Sequence, residues 1–196
     1  MLPFSEACER NKQPILEVLR SAFAGRTQVL EIGSGTGQHA VHFAAHLTHL
    51  IWHPTEQLAY LPDLGARVKL EGSRNLRPAT LLDVNQSVWP LRTTDAIFTA
   101  NTLHIMSWAE VRLMYRGLDA VLAPGGILCV YGPFRYDGRY TSSSNQDFDR
   151  MLQERDPKSG LRDINDVTAL AAQYGLRLSA DHDLPANNRL LEFIKD

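Results

Sequence analysis

The stretch VLEIGSGTGQH, residues 29–39, places three glycines within five positions, directly after a short apolar run that contains one acid. Glycine costs about 0.5–1 kcal/mol in an ordered element relative to alanine. Gly33, Gly35 and Gly37 therefore indicate a turn whose backbone approaches a ligand closely or bends where a side chain would collide. Residues 38–47 follow with apolar side chains on one helical face, so the sequence predicts a strand, a glycine turn and a helix in succession.

Short apolar runs alternate with amphipathic segments along the chain, which is the pattern of an α/β protein with a parallel sheet and helices on both faces. Strands are predicted at residues 28–32, 50–53, 79–84, 95–101, 127–134, 176–184 and 189–196. Helices are predicted at residues 10–23, 38–47, 56–70, 108–122, 145–155 and 165–174. Ser107 is expected to cap the fourth of them, and Ser144 or Asn145 the fifth. The turn PANN between the last two strands is short enough for an antiparallel hairpin. No linker interrupts the pattern, which predicts a single domain over residues 1–196.

The composition is that of an ordinary globular protein, with 44% hydrophobic residues, 21% charged residues and a formal net charge of −2. This balance gives no basic footprint for nucleic acid. Cys8 and Cys129 are too few for a disulfide framework and indicate a reducing compartment. The N-terminus carries charge early, unlike a signal peptide, and no apolar run reaches about 18 residues. We therefore expect a cytoplasmic monomer or homodimer without a nucleic-acid or membrane partner.

The glycine spacing differs from the dinucleotide fingerprint G-x-G-x-x-G, because the third glycine comes one residue early and Glu31 stands two residues before the first. This pattern resembles the nucleotide-binding motif of class I S-adenosylmethionine (SAM)-dependent methyltransferases. The resemblance implies a Rossmann-like fold with a seven-stranded, mostly parallel sheet and an antiparallel last strand. It also implies SAM as the cofactor, S-adenosylhomocysteine as its product and a small molecule as the methyl acceptor.

The resemblance assigns the glycine turn to the cofactor. It implies that the backbone passes under the methionine and ribose moieties and that the acid before the turn orients the ammonium group. The cofactor residues implied here are Glu31, Gly33, Ser34, Gly35 and Gly37. The alternative is a purely structural glycine-rich turn.

Further cofactor contacts are implied at the ends of the next strands. Glu56 matches the acid that accepts both ribose hydroxyl hydrogens, as in dinucleotide folds; a solvated glutamate at a helix start is the alternative. Asp83 matches the acid that bonds the adenine amino group, with Val84 supplying a backbone contact; an aspartate that caps its own loop is the alternative. Asn101 begins the segment NTLH, where the family builds the wall between cofactor and substrate.

Longer stretches narrow the resemblance to one branch of methyltransferase-like proteins, which carry a domain-of-unknown-function name in bacteria and are called methyltransferase-like in animals. The stretches are ACERNKQPILEVL, GSGTGQHAVHFA, WHPTE, NTLHI, YGPFRYDGRYTSSSNQDFDRMLQERDPKSGLRD and NNRLLEFIK. Together they cover nearly the whole chain, and the branch fixes no substrate. It often carries aspartate where Glu56 stands, and one additional methylene should preserve the chemistry while shifting the affinity.

Methyl transfer to a hydroxyl or protonated amine needs a base within hydrogen-bond reach. His104 is the candidate, because strand-four residues face the transferred methyl group and histidine titrates near neutral pH; a structural histidine is the alternative. Tyr131, at the end of the fifth strand, is a second candidate on the substrate side. The motif [DN]PP[YFW] does not follow the fourth strand, which argues against enzymes that methylate exocyclic amines of nucleic acids.

Two segments are expected to close over the pocket. Arg10 and Asn11 belong to an N-terminal segment that often forms a lid in this fold, and His39 lies beside the glycines. After the fifth strand, Arg135 and Tyr140 lie on the substrate side, where a guanidinium group could hold an acidic substrate bidentately.

Five histidines recur at spacings of three and four from His39 to His53. On a helix the first three share a face, but no cysteine is near, so we expect a solvated face and no metal site.

Two other functions stay open. The chain could bind SAM or S-adenosylhomocysteine as a sensor or partner module without transferring a methyl group, since such a fingerprint indicates binding more than turnover. It could also be an NAD-linked oxidoreductase, a function that the glycine spacing disfavours.

Overall fold

The computed structural model describes residues 2–196. Its helices are Glu6–Ala22 (α1), Gln38–His46 (α2), Leu61–Glu71 (α3), Trp108–Val121 (α4), Ser143–Arg155 (α5) and Ile164–Ala172 (α6). Its strands are Gln28–Ile32 (β1), Ile51–Glu56 (β2), Thr80–Leu81 (β3), Thr94–Ala100 (β4), Leu122–Gly132 (β5), Phe134–Tyr136 (β6), Arg139–Tyr140 (β7), Arg162–Asp163 (β8), Leu176–Leu184 (β9) and Asn188–Lys195 (β10).

The main sheet has seven strands in the order β3-β2-β1-β4-β5-β10-β9. Strand β1 pairs in parallel with β2 and β4, and β4 pairs in parallel with β5. Strand β10 runs antiparallel to both of its neighbours, β5 and β9. The predicted fold is therefore confirmed. The strand order changes direction between β1 and β4. In open α/β sheets, ligands bind in the crevice outside the carboxyl ends of the strands at such a switch point.

Each face of the sheet carries its own apolar core, because successive side chains of a strand point to opposite faces. Val29 and Phe98 pack with α1 and α2, whereas Leu30, Ile97 and Val130 pack with α4 and α6. Burial on both faces explains why the central strands are continuous apolar runs in the sequence.

The predicted bounds of β2 and of the two elements that follow it were wrong. The strand continues three residues beyond His53, because its parallel pairing with β1 extends to Thr55 and its pairing with β3 extends to Glu56. Helix α3 therefore begins at Leu61 rather than at residue 56, and the predicted strand 79–84 shrinks to Thr80–Leu81 at the sheet edge. The longer β2 brings Glu56 to the carboxyl end of its strand.

The sequence pattern also missed a second sheet, of order β7-β6-β8, that follows β5. Its strands have two or three residues each, too few for a period-two pattern to be visible.

Of the two helix caps predicted from the sequence, one was right and the other was misplaced by a few residues. Ser107 caps α4 as expected, in a reciprocal capping box with Glu110. Helix α5 is capped by Ser142, slightly earlier than predicted.

Candidate functional site

The three glycines of the turn between β1 and α2 all have positive φ, at +70° for Gly33, +54° for Gly35 and +77° for Gly37. Their surroundings differ. A β carbon at Gly33 would lie 3.1 Å from Thr102 Oγ1, and one at Gly37 would lie 2.9 Å from Leu64 Cδ1. At Gly35 it would meet nothing within 4 Å. Gly33 and Gly37 therefore permit close packing, whereas Gly35 leaves an open face of backbone at the crevice.

Hydrogen bonds to the end of β2 hold this turn in place. The Ser34 N–H donates to the Thr55 carbonyl over 2.9 Å, and the Thr55 N–H donates to Ser34 Oγ over 3.2 Å. The Gly35 N–H donates to Glu56 Oε2 over 2.7 Å, while Glu56 Oε1 accepts from the Gln57 N–H over 2.8 Å. The carboxylate of Glu56 thus stands directly against the open glycine.

Glu31 lies beneath the turn and is 2% exposed. Its carboxylate accepts a hydrogen bond from Trp52 Nε1 over 2.8 Å. Burial, with a smaller contribution from the nearby charge of Glu56, raises the pKa of Glu31 to about 7. A cation placed beside this carboxyl group would favour its ionised form.

Helix α1 brings Asn11 to this region and turns Arg10 away from it. Asn11 Oδ1 lies 2.6 Å from His39 Nε2, and the Asn11 side chain also acts on the Tyr131 hydroxyl, whose pKa it tends to lower. Burial raises the pKa of Tyr131 and lowers the pKa of His39 to about 4. Arg10 instead pairs with Glu6 over 3.2 Å on the exposed side of the helix.

The chain before α1 is tied to the glycine turn by two side chains that the sequence interpretation missed. Gln38 Oε1 accepts from the Ser5 N–H over 2.6 Å, and its Nε2 donates to the Ser5 carbonyl over 3.2 Å. Arg67 donates from Nη2 to the Pro3 carbonyl and from Nε to the Thr36 carbonyl, both over 2.6 Å. Gln38 directly follows the last glycine of the turn, and this position could have identified it as a functional residue. No sequence pattern identifies Arg67.

The loop after β3 carries Asp83 and Val84. Asp83 Oδ1 accepts from the backbone N–H and the side-chain amide of Asn85, over 2.9 and 2.8 Å, so one oxygen caps its own loop. Val84 is buried in the apolar core. Across the crevice, Asn101 has a positive φ of 56° and its N–H donates to the Tyr131 carbonyl over 2.8 Å.

His104 belongs to the loop between β4 and α4, and it lies beside the carboxyl end of β5. It is 5% exposed. Its Nδ1 is 3.5 Å from where a β carbon at Gly132 would stand, and its ring packs edge-on against Phe148 at 5.3 Å between centroids. Burial, with Arg162 adding to it, lowers the pKa of His104 to about 4. The imidazole is therefore neutral at pH 7 and able to accept a proton.

The other two predicted substrate-side residues, Arg135 and Tyr140, lie in the second sheet. The Tyr140 hydroxyl donates to Asp149 Oδ2 over 2.6 Å, and Asp149 Oδ1 accepts from the Leu161 N–H over 2.6 Å. Asp149 is 1% exposed, and no local motif identified it in advance. The Arg135 guanidinium carbon lies 6.0 Å from the Tyr140 ring centroid.

The histidine stripe divides between core and solvent. His39 is buried, His42 is half-buried and His46 is exposed, with 4.3 Å between the ring centroids of the last two. His49 Nε2 lies 3.1 Å from the Phe23 carbonyl. Within residues 2–196, no group of three or more His, Cys, Asp or Glu side chains is arranged to hold a metal ion. Over the same residues, no helix has the length and apolar character needed to cross a membrane.

Solved methyltransferases share this fold. An O-methyltransferase family protein from Burkholderia thailandensis superposes with a TM-score of 0.83 at 15% identity, over 97% of this chain and 58% of that chain. Human N-acetylserotonin methyltransferase in complex with SAM superposes with a TM-score of 0.81 at 15% identity, over 97% and 53%. An O-methyltransferase family 2 protein from Planctomyces limnophilus, in complex with apigenin, gives 0.76 at 14% identity, over 94% and 62%.

This chain spans a little over half the length of those proteins, and at these identities the likeness shows the fold alone. A family model described as "Protein of unknown function (DUF938)" matches residues 2–195. That description names no activity. The family is shown by this model, and the fold is shown by the solved structures. The chain belongs to the DUF938 family and has the Rossmann-like fold of SAM-dependent methyltransferases.

Proposed function

We propose that this protein binds SAM in the crevice between β1 and β4 and transfers its methyl group to a small-molecule acceptor. The observation that carries the proposal is the open backbone of Gly35, which stands against the Glu56 carboxylate and would be obstructed by any side chain. The shared fold of a methyltransferase solved in complex with SAM supports it. When bound, SAM supplies a sulfonium whose methyl group an aligned nucleophile can displace.

Each cofactor residue has a role that its surroundings allow. Glu56 accepts hydrogen bonds from the ribose hydroxyls with the lone pairs that Gly35 and Gln57 leave free. Asp83 Oδ2, which makes no hydrogen bond within residues 2–196, accepts from the adenine amino group, beside the backbone of Val84. Glu31 ionises beside the ammonium group. These groups hold the donor rigidly, so much of the rate gain comes from alignment and the exclusion of water.

His104 is the proposed base, facing the end of β5 where the acceptor would lie. With a pKa of about 4 it is unprotonated at neutral pH, but it is a weak base. That weakness is the one observation that favours the second candidate function, in which the protein binds SAM or S-adenosylhomocysteine as a sensor without transferring the methyl group.

Titration calorimetry with SAM, S-adenosylhomocysteine and NAD tests the cofactor assignment. We expect both adenosyl ligands to bind with micromolar affinity and NAD not to bind; binding of NAD alone would support an oxidoreductase instead. Incubation with metabolite pools and SAM labelled in its methyl group then separates the enzyme from the sensor. Transfer of label supports the enzyme, and binding with persistent absence of transfer across broad pools supports the sensor.

The variant His104→Ala tests the proposed base once an acceptor is known. We expect turnover to fall about a hundredfold, which is the low end of what a positioned general base contributes. The affinity for S-adenosylhomocysteine should stay within about twofold, since His104 does not hold the cofactor in this proposal. The exposed His46→Ala variant is the control. An equal loss of affinity and turnover would remove His104 from the role of base.

A further inference from the structure

A cavity of about 390 Å³ lies between α4, β6 and α6, away from the glycine turn, Glu56 and Asp83. Three arginines line it, Arg112 of α4, Arg135 of β6 and Arg162 of β8. Its apolar wall includes Trp108 and Leu170. The volume falls in the range of small-molecule sites, and apolar walls with a few convergent polar groups are typical of them.

In the described part of the chain, none of the three arginines forms an ion pair, although the charge of the buried Asp149 acts on Arg162. Among residues 2–196, no carboxylate oxygen lies within 4.0 Å of a guanidinium nitrogen of these three arginines. Arg135 Nε is buried and has no hydrogen-bond partner. Arg162 donates only to uncharged carbonyl oxygens, those of Leu103, Met106 and Lys158. A buried donor without a partner is costly, so an anion here would satisfy groups that the protein leaves free.

Two aspartates also line the cavity, and neither forms an ion pair with an arginine of residues 2–196. Asp163 Oδ1 accepts from the Asn165 N–H over 3.0 Å and its Oδ2 accepts from the Gly138 N–H over 2.6 Å, so both oxygens are engaged by backbone. Asp166 is exposed in the first turn of α6, where the helix dipole stabilises a negative charge. Three arginines against two aspartates leave a formal excess of one positive charge.

We propose that this cavity is a binding site for a small organic acid, with the carboxylate held by Arg112 and Arg135 and the apolar body packed against Trp108 and Leu170. The planar guanidinium fork matches a carboxylate bidentately, which an ammonium group cannot do. An aromatic ring beside the arginines suits a flat apolar body. This site goes beyond methyl transfer and does not depend on it.

Arg162 joins the site to the segment that carries the proposed base. Its guanidinium group hydrogen-bonds the carbonyls of Leu103 and Met106, which lie on either side of His104, and the Gly160 N–H donates to the His104 carbonyl over 2.9 Å. An acid bound beside Arg162 therefore lies close to the acceptor side of the crevice.

Calorimetry on the full chain without SAM tests the site, so a failure of the cofactor proposal leaves this test intact. The probes are benzoate, indole-3-acetate and hexanoate, with benzamide as the uncharged analogue of benzoate. We expect at least one acid to bind and benzamide to bind at least about tenfold more weakly, because a charge-assisted hydrogen bond is lost. Binding by none of the acids, or equal binding of benzoate and benzamide, would overturn the proposal.

Variants locate the site. Arg135→Gln should weaken acid binding at least about tenfold, whereas Arg139→Gln, an exposed arginine outside the cavity, should leave it unchanged. Arg112→Gln, on the exposed surface of α4, is a second variant that should weaken binding without disturbing β6, and Asp166→Asn should tighten it. Unchanged affinity in both cavity arginine variants, each verified as folded by circular dichroism, contradicts the assignment. Inorganic phosphate binding as tightly as the best acid would reassign the cavity to anions in general.

Discussion

The proposed cofactor edge of the crevice (residues 31–38 with Glu56) is built differently from the proposed acceptor side (residues 101–107 and 133–163). At the cofactor edge the turn and the tip of the neighbouring β2 hold each other through one backbone hydrogen bond and two from backbone N–H groups to side chains. On the acceptor side, His104, Asp149 and Arg162 come from separate segments and meet only in the folded chain. The proposed cofactor edge is therefore ordered by contacts between neighbouring strand ends, whereas the proposed acceptor side depends on contacts between segments far apart in the sequence.

The two regions share one electrostatic cause. Burial raises the pKa of Glu31 to about 7 at the cofactor edge and lowers the pKa of His104 to about 4 on the acceptor side. Both shifts favour the neutral form, because a charge loses hydration when it is buried. A cationic ligand would reverse the shift at Glu31. At His104 the shift leaves the imidazole unprotonated at neutral pH and weakly basic.

Gly35→Val should break the cofactor edge and have the largest effect. The added side chain occupies the open face of the turn, so we expect the affinity for S-adenosylhomocysteine to fall at least about a thousandfold, which is about 4 kcal/mol. The fold should survive, at a cost of about 1–2 kcal/mol for a side chain at positive φ. Calorimetry and thermal unfolding measure the two effects.

Gly125→Val is the matched control, because Gly125 also has a positive φ, of +73°, with nothing within 4 Å of its β-carbon position, and it lies near the start of β5, outside the glycine turn. It should carry the same backbone strain and leave the affinity unchanged. Micromolar affinity retained in Gly35→Val would contradict the placement of the ligand.

Asp149→Ala should disrupt the acceptor side, because Asp149 accepts the hydrogen bonds that join its segments. The buried Leu161 N–H and the half-buried Tyr140 hydroxyl lose their partner. A buried unsatisfied group costs about 1–3 kcal/mol and the hydroxyl can turn to water, so we expect the free energy of unfolding to fall by about 2–3 kcal/mol. Urea unfolding measures it. The exposed Asp147→Ala variant, which loses only a surface pair with Arg150, should cost under about 1 kcal/mol. Equal costs for the two variants would show that Asp149 does not organise this side.

Glu31→Gln should test the buried charge of the cofactor edge through the pH dependence of the free energy of unfolding. Between pH 4.5 and about 7 the folded protein keeps the Glu31 proton that the unfolded chain has lost. The free energy of unfolding therefore falls as the pH rises through this window, by at most about 3 kcal/mol. The variant keeps an acceptor for Trp52 Nε1 and should lose this part of the pH dependence in urea unfolding at pH 5 and pH 8. The exposed Glu154→Gln variant should keep it; an unchanged slope in Glu31→Gln would place the ionisation elsewhere.

Local patterns were enough to predict the sheet, the glycine turn and the cap at Ser107, because each depends on neighbours within a few residues. They misplaced the end of β2, since the length of a strand depends on how far its partners run. Glu56 was therefore expected beyond its strand and lies at the tip. Gln38 belongs to the glycine motif, but its hydrogen bond with Ser5 could not be predicted because the two residues lie far apart in the sequence.

The sequence by itself determined the fold class and the position of the turn, because apolar periodicity and glycine conformation are local properties of the chain. Only the tertiary structure decided that Gly35 alone among the three glycines faces open space, that Asp149 organises the second sheet, and that three arginines line one cavity. Those outcomes depend on which distant side chains fill the space around a residue, and chain position does not encode that in any short pattern.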